Sequence, residues 1–358
     1  MSINVAILGA TGAVGQRFIQ LLENHPWFTV AEVVASERSA GKTYIEATNW
    51  VLTTDMPERV ANLTVKPLDG ILDSTLVFSA LPSSVAKDVE AKFAAEGHYV
   101  CSNASAYRME PDVPILLPEV NAGHIHLLAR QQEERGWKGG IITNSNCTSS
   151  PLVMALAPLR KFQPEALSVV SMQAISGAGY PGVPSLDIMD NVIPFIKNEE
   201  EKLGLEPAKM LGAYANGQVT PLSMTVSAAC NRVPVIDSHL INVTIRFAQD
   251  VDKADLYTAW ENFVGPDPVP SLPTAPEKPV IVRYEDNRPQ PRRDRDAGGG
   301  MSTVVGRLRP ADAMGGWQFL ALAHNTIRGA AGCSILNAEL LKAEGYLDSV
   351  TEVVATKA

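Results

Sequence analysis

Apolar residues dominate Ile3 to Leu8, a glycine-rich turn follows, and apolar positions then recur at helical spacing from Ala13 to Glu23 before a second apolar run, Val30 to Ala35. This order of strand, glycine turn, helix and strand predicts a βαβ unit. The alternation continues through a strand at Thr75 to Ala80, a helix at Ser84 to Glu96, and strands at Tyr99 to Ser102 and Ile141 to Thr143. A parallel sheet covered by helices, of the Rossmann type, follows from that pattern.

Beyond residue 146 the texture changes. Longer stretches of alternating character run from Leu167 to Ile175, Met224 to Val235, Leu240 to Ala248, Ser302 to Leu308 and Trp317 to Ala323. They predict a second, α+β domain with a largely antiparallel sheet, on which helices near Glu200 to Leu211 and Lys253 to Phe263 pack. Gly265 to Pro279 carries six prolines and reads as a structured or extended loop. A last helix, Arg328 to Glu344, opens on Gly-Ala-Ala-Gly and places Ile335, Leu336, Leu340 and Leu341 on one face. It is expected to return to the first domain, which then comprises 1–146 and 327–358 and leaves 147–326 as the second.

Composition narrows the function classes. At 358 residues the chain suits two ordinary domains, and 46% hydrophobic with 19% charged residues is the balance of a soluble globular protein. A formal net charge of -9 argues against nucleic acid as a partner. The N-terminus lacks the pattern of a signal peptide, and no apolar run reaches the ~20 residues of a membrane helix. Cys101, Cys147, Cys230 and Cys333 are far apart, which speaks against a zinc site or a disulfide framework and for a reducing, cytoplasmic setting. The six histidines show no metal-ligand spacing, so no metal is expected.

Gly9-Ala-Thr-Gly12-Ala-Val-Gly15 closes the first strand and opens the first helix. Glycines there allow a tight turn and close approach of a pyrophosphate, while helix N-terminal amides face its charge. At the end of the second strand, Ser36, Arg38, Ser39 and Lys42 offer partners for a ribose 2′-phosphate, which favours NADP over NAD; Glu37 counts against it.

Cys147 lies in Thr143-Asn-Ser-Asn-Cys-Thr-Ser-Ser-Pro151, between an apolar strand and an amphipathic stretch (Leu152, Val153, Leu156, Leu159). Ser149 or Ser150 is expected to cap the helix and Pro151 to take its first position, setting the thiol at the first turn. The helix dipole there favours thiolate, the form that attacks carbonyls; the competing reading is an inert core cysteine. Thioester chemistry beside a nicotinamide needs a general base, for which His239 in Cys230-Asn-Arg-Val-Pro-Val-Ile-Asp-Ser-His239 is the candidate, and Arg232 in the same run offers a forked donor for a carboxylate.

Taken together these residues resemble the aspartate-semialdehyde dehydrogenase family, in particular its archaeal and fungal branch. The resemblance rests on the glycine loop at 9–15, Ser-Asn-Ala-Ser-Ala-Tyr-Arg-Met at 102–109, Asn146-Cys147-Thr148, Gln173 in Gln-Ala-Ile-Ser-Gly-Ala-Gly-Tyr-Pro-Gly, Glu199 to Lys202, Arg232 to His239, and His324-Asn-Thr-Ile-Arg-Gly-Ala-Ala-Gly332. It implies Cys147 as nucleophile, His239 as acid/base and Gln173 as a substrate-orienting group. Arg232 would then bind the substrate α-carboxylate, Glu199 (or its neighbours Glu200 and Glu201) its ammonium, and Arg108, Lys202 and Asn103 its phosphate. Cofactor contacts are implied for Gly9, Thr11, Gly12, Ala13, Val14, Gly15, Ser36, Arg38, Ser39, Ser79, Leu81 and Asn325. The implied reaction interconverts aspartate semialdehyde plus phosphate with β-aspartyl phosphate, in the branch leading to lysine, threonine and methionine, in a homodimer or homotetramer. Malonyl-CoA reductase on the same scaffold, an N-acetylglutamyl phosphate reductase, and a non-catalytic NADP-binding regulator are the alternatives.

Overall fold

A computed structural model of the chain describes residues 2–347. Its first sheet holds β1 (Ile3–Leu8), β2 (Phe28–Ala35), β3 (Val65–Pro67), β4 (Leu76–Ser79), β5 (Tyr99–Ser102), β6 (Ile115–Leu116) and β7 (Gly140–Asn144), in the order β3-β2-β1-β4-β5-β7-β6. Every pairing in it is parallel. Strands β4, β5 and β7 are buried along their whole length, which is why they read as continuous apolar runs rather than alternating ones. β3 and β6 escape sequence reading because two or three residues carry no periodicity. The chain reverses its strand order between β1 and β4, and the carboxyl ends of those two strands form the crevice where this architecture receives ligands.

The second region holds β8 (Pro164–Gln173), a short hairpin of β9 (Ala213–Ala215) and β10 (Gln218–Thr220), then β11 (Thr225–Arg232), β12 (His239–Phe247), β13 (Val280–Arg283), β14 (Thr303–Pro310) and β15 (Trp317–Ala323). Six of these form one sheet, β11-β8-β12-β15-β14-β13. Its central pairings are antiparallel, as expected, while the edge pairs β11–β8 and β13–β14 are parallel.

The helix Ser149–Leu156 differs from the amphipathic helix expected there. All of its residues are buried, and Leu152, Val153 and Leu156 pack with Val169, Ile241 and Phe319 of the second sheet. A helix apolar on every side belongs inside a core, where each buried Leu or Val contributes about 1.5–3 kcal/mol. That burial fixes the position of whatever stands at its N-terminus. The segment Ile327–Ala331 widens into a π-turn before the helix Gly332–Ala343, whose Ile335, Leu336, Leu340 and Leu341 pack in one core with Phe18 of helix Ala13–Leu22 and with Phe28 and Phe78 of the first sheet. The expected 328–344 helix therefore begins a turn late. Residues 348–358, assigned to the first domain from sequence, lie outside the described residues.

Candidate active site

The glycine loop is built almost entirely from its own neighbourhood. A Cβ on Gly9, whose φ is +73°, would stand 2.8 Å from the Ala80 carbonyl oxygen, and one on Gly15 would stand 2.3 Å from the Gly9 oxygen. Both positions thus require glycine, one at the β1–β4 crevice and one where helix Ala13–Leu22 leaves the turn. The Tyr44 hydroxyl donates to the Ala10 carbonyl (2.8 Å), and Gln16 Nε2 donates to the Thr11 carbonyl (3.0 Å). The loop is thereby held open, with the first helical amides at Ala13 and Val14 lacking acceptors within the helix. Ser36 and Arg38 are exposed and Ser39 is half-buried in a turn after β2, in which the Ser39 amide donates to the Ser36 carbonyl. These groups fit a phosphate-bearing dinucleotide. Ser79 and Leu81 lie buried at the end of β4, on the other wall of the crevice.

Cys147 stands three residues after the end of β7, and the helix that follows is not capped as expected. The helix starts at Ser149 with Thr148 as the preceding residue, so Pro151 occupies the third helical position and neither serine caps. The cap comes instead from Asn146, whose Oδ1 accepts the amides of Thr148 (2.9 Å) and Ser149 (3.3 Å). Among the described residues the Cys147 amide has no acceptor, two residues ahead of the helix that begins at Ser149. Gly329 packs on Cys147: a Cβ there would lie 2.7 Å from Cys147 Cβ.

His239, the first residue of β12, is fully buried with Nε2 3.2 Å from Cys147 Sγ. Its Nδ1 accepts the Ala174 amide at 3.0 Å. The Ala174 carbonyl in turn accepts Arg232 Nη1 at 2.7 Å, so one peptide segment after β8 holds both the acid/base candidate and the forked cation. Glu199 begins the helix Glu199–Met210 and accepts from Asn146 Nδ2 (2.9 Å), Gln173 Nε2 (3.2 Å) and Lys202 Nζ (2.7 Å). Of the acidic run it is the buried member, with 6% exposure; Glu200 instead accepts the Cys230 amide, and Glu201 is exposed.

Burial, followed by the Glu199 charge, pushes the Cys147 thiol up to about 12, against the pull of Arg108, Lys202 and Arg232. The pull of the helix terminus toward thiolate, expected from sequence, is thus outweighed by burial. The residue keeps one open face, but the shell around it is dry enough for desolvation to dominate. Burial, aided by Arg232, pushes His239 down to about 3. Without substrate the pair is therefore thiol and neutral imidazole. Glu199 is held below the usual carboxylate range because Lys202 and the Asn146 and Gln173 donors outweigh the largest single influence, its own burial.

Arg108 and Lys202 border a cavity of about 220 Å³ together with Ser105, Asn198 and Glu206. Arg108 is not a free cation: Nη1 pairs with Glu206 (3.0 Å) and Nη2 donates to the Asn103 carbonyl (2.8 Å), while Nε is buried without a partner. The Asn103 side chain is engaged with the Ser79 carbonyl and with Asn144, beside this cation. Lys209 Nζ donates at 2.7 Å to the carbonyls of Arg108, Glu110 and Val113, fastening the Arg108 loop to the helix that carries Glu199 and Lys202. Asn325 is buried beside the start of β12, accepting the Ser238 amide (2.7 Å) and donating to Ser176 Oγ (2.8 Å). A larger concavity, about 370 Å³, lies between helix Leu127–Arg135 and the β9–β10 hairpin and contains none of these residues.

Three contributors were not given roles from sequence: Asn146, Glu206 and the Ala174 backbone. Glu206 Oε2 accepts the Asn146 amide (2.6 Å) while Oε1 pairs with Arg108, joining the backbone next to Cys147 to the pocket lined by Arg108 and Lys202. Its signal in sequence is only an acidic residue one helical turn past Lys202. Among the described residues no group of three or more His, Cys, Asp or Glu side chains is disposed to hold a metal ion, and no helix is long and apolar enough to cross a membrane.

Residues 4–128 match the family model for a semialdehyde dehydrogenase NAD binding domain, and residues 156–328 match that for a semialdehyde dehydrogenase dimerisation domain. The aspartate-semialdehyde dehydrogenase of Archaeoglobus fulgidus is 51% identical, over 95% of this chain and 98% of its own. The chain belongs to the aspartate-semialdehyde dehydrogenase family. A crystal structure of the Candida albicans aspartate semialdehyde dehydrogenase with NADP aligns with TM-score 0.87 at 41% identity, covering 96% of this chain and 99% of that one. The archaeal and fungal branch expected from the motifs is thus the one found. A malonyl CoA reductase (NADP) from Metallosphaera sedula is also similar, 39% identical over 97% of this chain and 99% of its own. Cys147 falls between the two segments that the family models match, where the parallel sheet hands over to the buried helix.

Proposed function

We propose that this chain is an NADP-dependent aspartate-semialdehyde dehydrogenase that carries its substrate as a thioester on Cys147. The observation that carries the reading is the 3.2 Å approach of Cys147 Sγ to His239 Nε2 inside a ring of Arg232, Glu199 and Gln173, with Arg108 and Lys202 adjoining. In the biosynthetic direction the Cys147 sulfur attacks the carbonyl carbon of β-aspartyl phosphate, the bond from that carbon to phosphate oxygen breaks, and the aspartyl group remains on sulfur. Arg232, with only Nη1 engaged among the described residues, takes the α-carboxylate. Glu199 takes the ammonium and Gln173 orients the chain, while Arg108 and Lys202 hold the departing phosphate. The Cys147 amide steadies the oxyanion, and His239 is the acid/base. Bound NADP, held by the glycine loop with Ser36, Arg38 and Ser39 at its 2′-phosphate, supplies or takes the hydride. Ser79, Leu81 and Asn325 complete its contacts.

The buried Glu199 carboxylate, held ionised by its three donors, offers a charge partner for an ammonium and so favours an amino-acid substrate over malonyl-CoA, which has no ammonium. Purified protein mixed with aspartate semialdehyde, phosphate and NADP is expected to form NADPH, and malonyl-CoA with NADPH is expected to give no turnover. The reverse pattern selects the reductase, and cofactor binding with neither activity selects the regulator. The four unpaired cysteines support a cytoplasmic setting. The match of 156–328 to a dimerisation domain supports a homodimer or homotetramer. A domain division of 1–146 with 327–358 against 147–326 is supported by the packing of helix Gly332–Ala343 in the first core.

A further inference from the structure

We propose that the Ala174 backbone fixes His239 as the Nε2–H tautomer, so that the imidazole meets the substrate as a hydrogen-bond donor and does not take the Cys147 proton. The inference rests on the thioester reading above and specifies which half of the acid/base role the resting site is built for. A backbone amide only donates, so the 3.0 Å contact from the Ala174 amide requires a lone pair on Nδ1. A neutral imidazole with a lone pair on Nδ1 carries its proton on Nε2, the nitrogen 3.2 Å from Cys147 Sγ. Burial keeps the ring neutral, with Arg232 acting in the same direction and Glu199 opposing it. The Ser238 backbone opposes burial by favouring the protonated ring, yet the contacts made by the two ring nitrogens within hydrogen-bond distance among the described residues are the Ala174 amide on Nδ1 and Cys147 Sγ on Nε2.

Ala174 does not drift. It follows β8, and the next amides, Ile175 and Ser176, donate to the carbonyls of Val235 (2.7 Å) and Ile236 (3.1 Å), just upstream of His239. Its carbonyl holds Arg232 Nη1, so rotating the peptide to free Nδ1 also releases the proposed carboxylate-binding cation. The backbone of Ala174 is thus a positioning element for two side chains at once.

The consequence is a different destination for the thiol proton. As the sulfur–carbon bond forms and the carbon–oxygen bond to phosphate breaks, the proton from Cys147 passes to a phosphate oxygen and leaves as hydrogen phosphate. Arg108 and Lys202 act on the sulfur electrostatically and border the cavity proposed for that phosphate. Nε2 keeps its proton throughout this step and donates it in a hydrogen bond toward the sulfur and the developing oxyanion.

Long-range nitrogen–proton NMR on the intact, substrate-free protein with labelled histidine reads the tautomer directly, the His239 signals being assigned by their loss in His239→Asn. Neutral His239 with Nε2 protonated at pH 7 is the expected result; an Nδ1–H tautomer or a doubly protonated ring overturns the proposal. Replacing Ala174 by its α-hydroxy-acid analogue, which turns the amide N–H into an ester oxygen, is expected to shift the ring toward Nδ1–H and lower kcat about tenfold. The KM for semialdehyde should change much less. An unchanged tautomer in a folded ester variant also overturns it. Cys147→Ser should keep the Nε2–H signal while losing turnover, so an active serine variant defeats the thioester reading without touching the tautomer result.

Discussion

The two halves of the site are made in different ways. The cofactor crevice is mainly local: Gly9, Gly12 and Gly15 belong to one turn, and the strand after the first helix brings Ser36, Arg38 and Ser39 within the same βαβ unit. The thiol pocket is assembled from distant segments, since Asn146, Gln173, Glu199, Arg232 and His239 meet only once β7, β8, β11, β12 and an acidic helix have packed. Local construction tolerates loss of a single contact, because backbone amides and the helix N-terminus remain. A pocket of mutually bonded, buried charges does not: removing one partner strands the others without water.

This contrast sets an order of expected damage. Cys147→Ser should lower turnover by about 10⁴-fold or more, as loss of a covalent nucleophile does, while NADP affinity measured by fluorescence titration stays within about twofold. A comparable loss of cofactor binding would mean that the two halves are one unit. Glu206→Ala strands the Arg108 guanidinium, 7% exposed, and frees the Asn146 amide. Denaturant unfolding should then show a loss of about 3–5 kcal/mol, the cost of breaking a buried pair; a loss under 1 kcal/mol would place the pair in contact with water.

Acid sensitivity separates the halves in another way. The folded pKa of His239, about 3, lies below its ordinary value of 6.5, so the unfolded chain takes up the proton first. Stability present above pH 6.5 is therefore lost as pH falls through the window toward 3. His124 and His324, both at about 4 through burial, act with the same sign. Thermal unfolding of His239→Asn should show a shallower decline across that window than the parent; an equal slope would contradict the buried neutral ring. Arg232→Lys keeps the charge but loses the fork, and should reduce kcat/KM for semialdehyde about 100-fold with little change in thermal stability. The smallest effect is expected in the local half. Arg38→Ala should weaken NADP about tenfold and leave NAD and Cys147 alkylation unchanged.

Legibility in the sequence follows the same division. The glycine turn and the strands β1, β2, β4 and β5 were readable because periodicity and turn chemistry act over a few residues. Cys147, His239 and Arg232 were identifiable by residue type, and the structure brings them together. The helix cap was misread because serines next to a proline satisfy the usual pattern, whereas Asn146, two residues before Thr148, reaches the free amides first. The state of the thiol is hidden for a related reason. A helix dipole that favours thiolate is visible in sequence, but the opposing burial, with Gly329 and His239 packed on Cys147, and the opposing charge of Glu199 come from segments far away in the chain. Glu206 and the Ala174 peptide left no pattern, since one is an ordinary helix acid and the other acts through its backbone.

The central claim, that Cys147 carries the aspartyl group, is tested most directly by mixing the protein with β-aspartyl phosphate without reduced cofactor and mapping the product by mass spectrometry after an acid quench. One aspartyl group is expected on the peptide containing Cys147, removable by hydroxylamine, and consumed when NADPH is added. An unmodified Cys147 peptide in enzyme that turns over would contradict it.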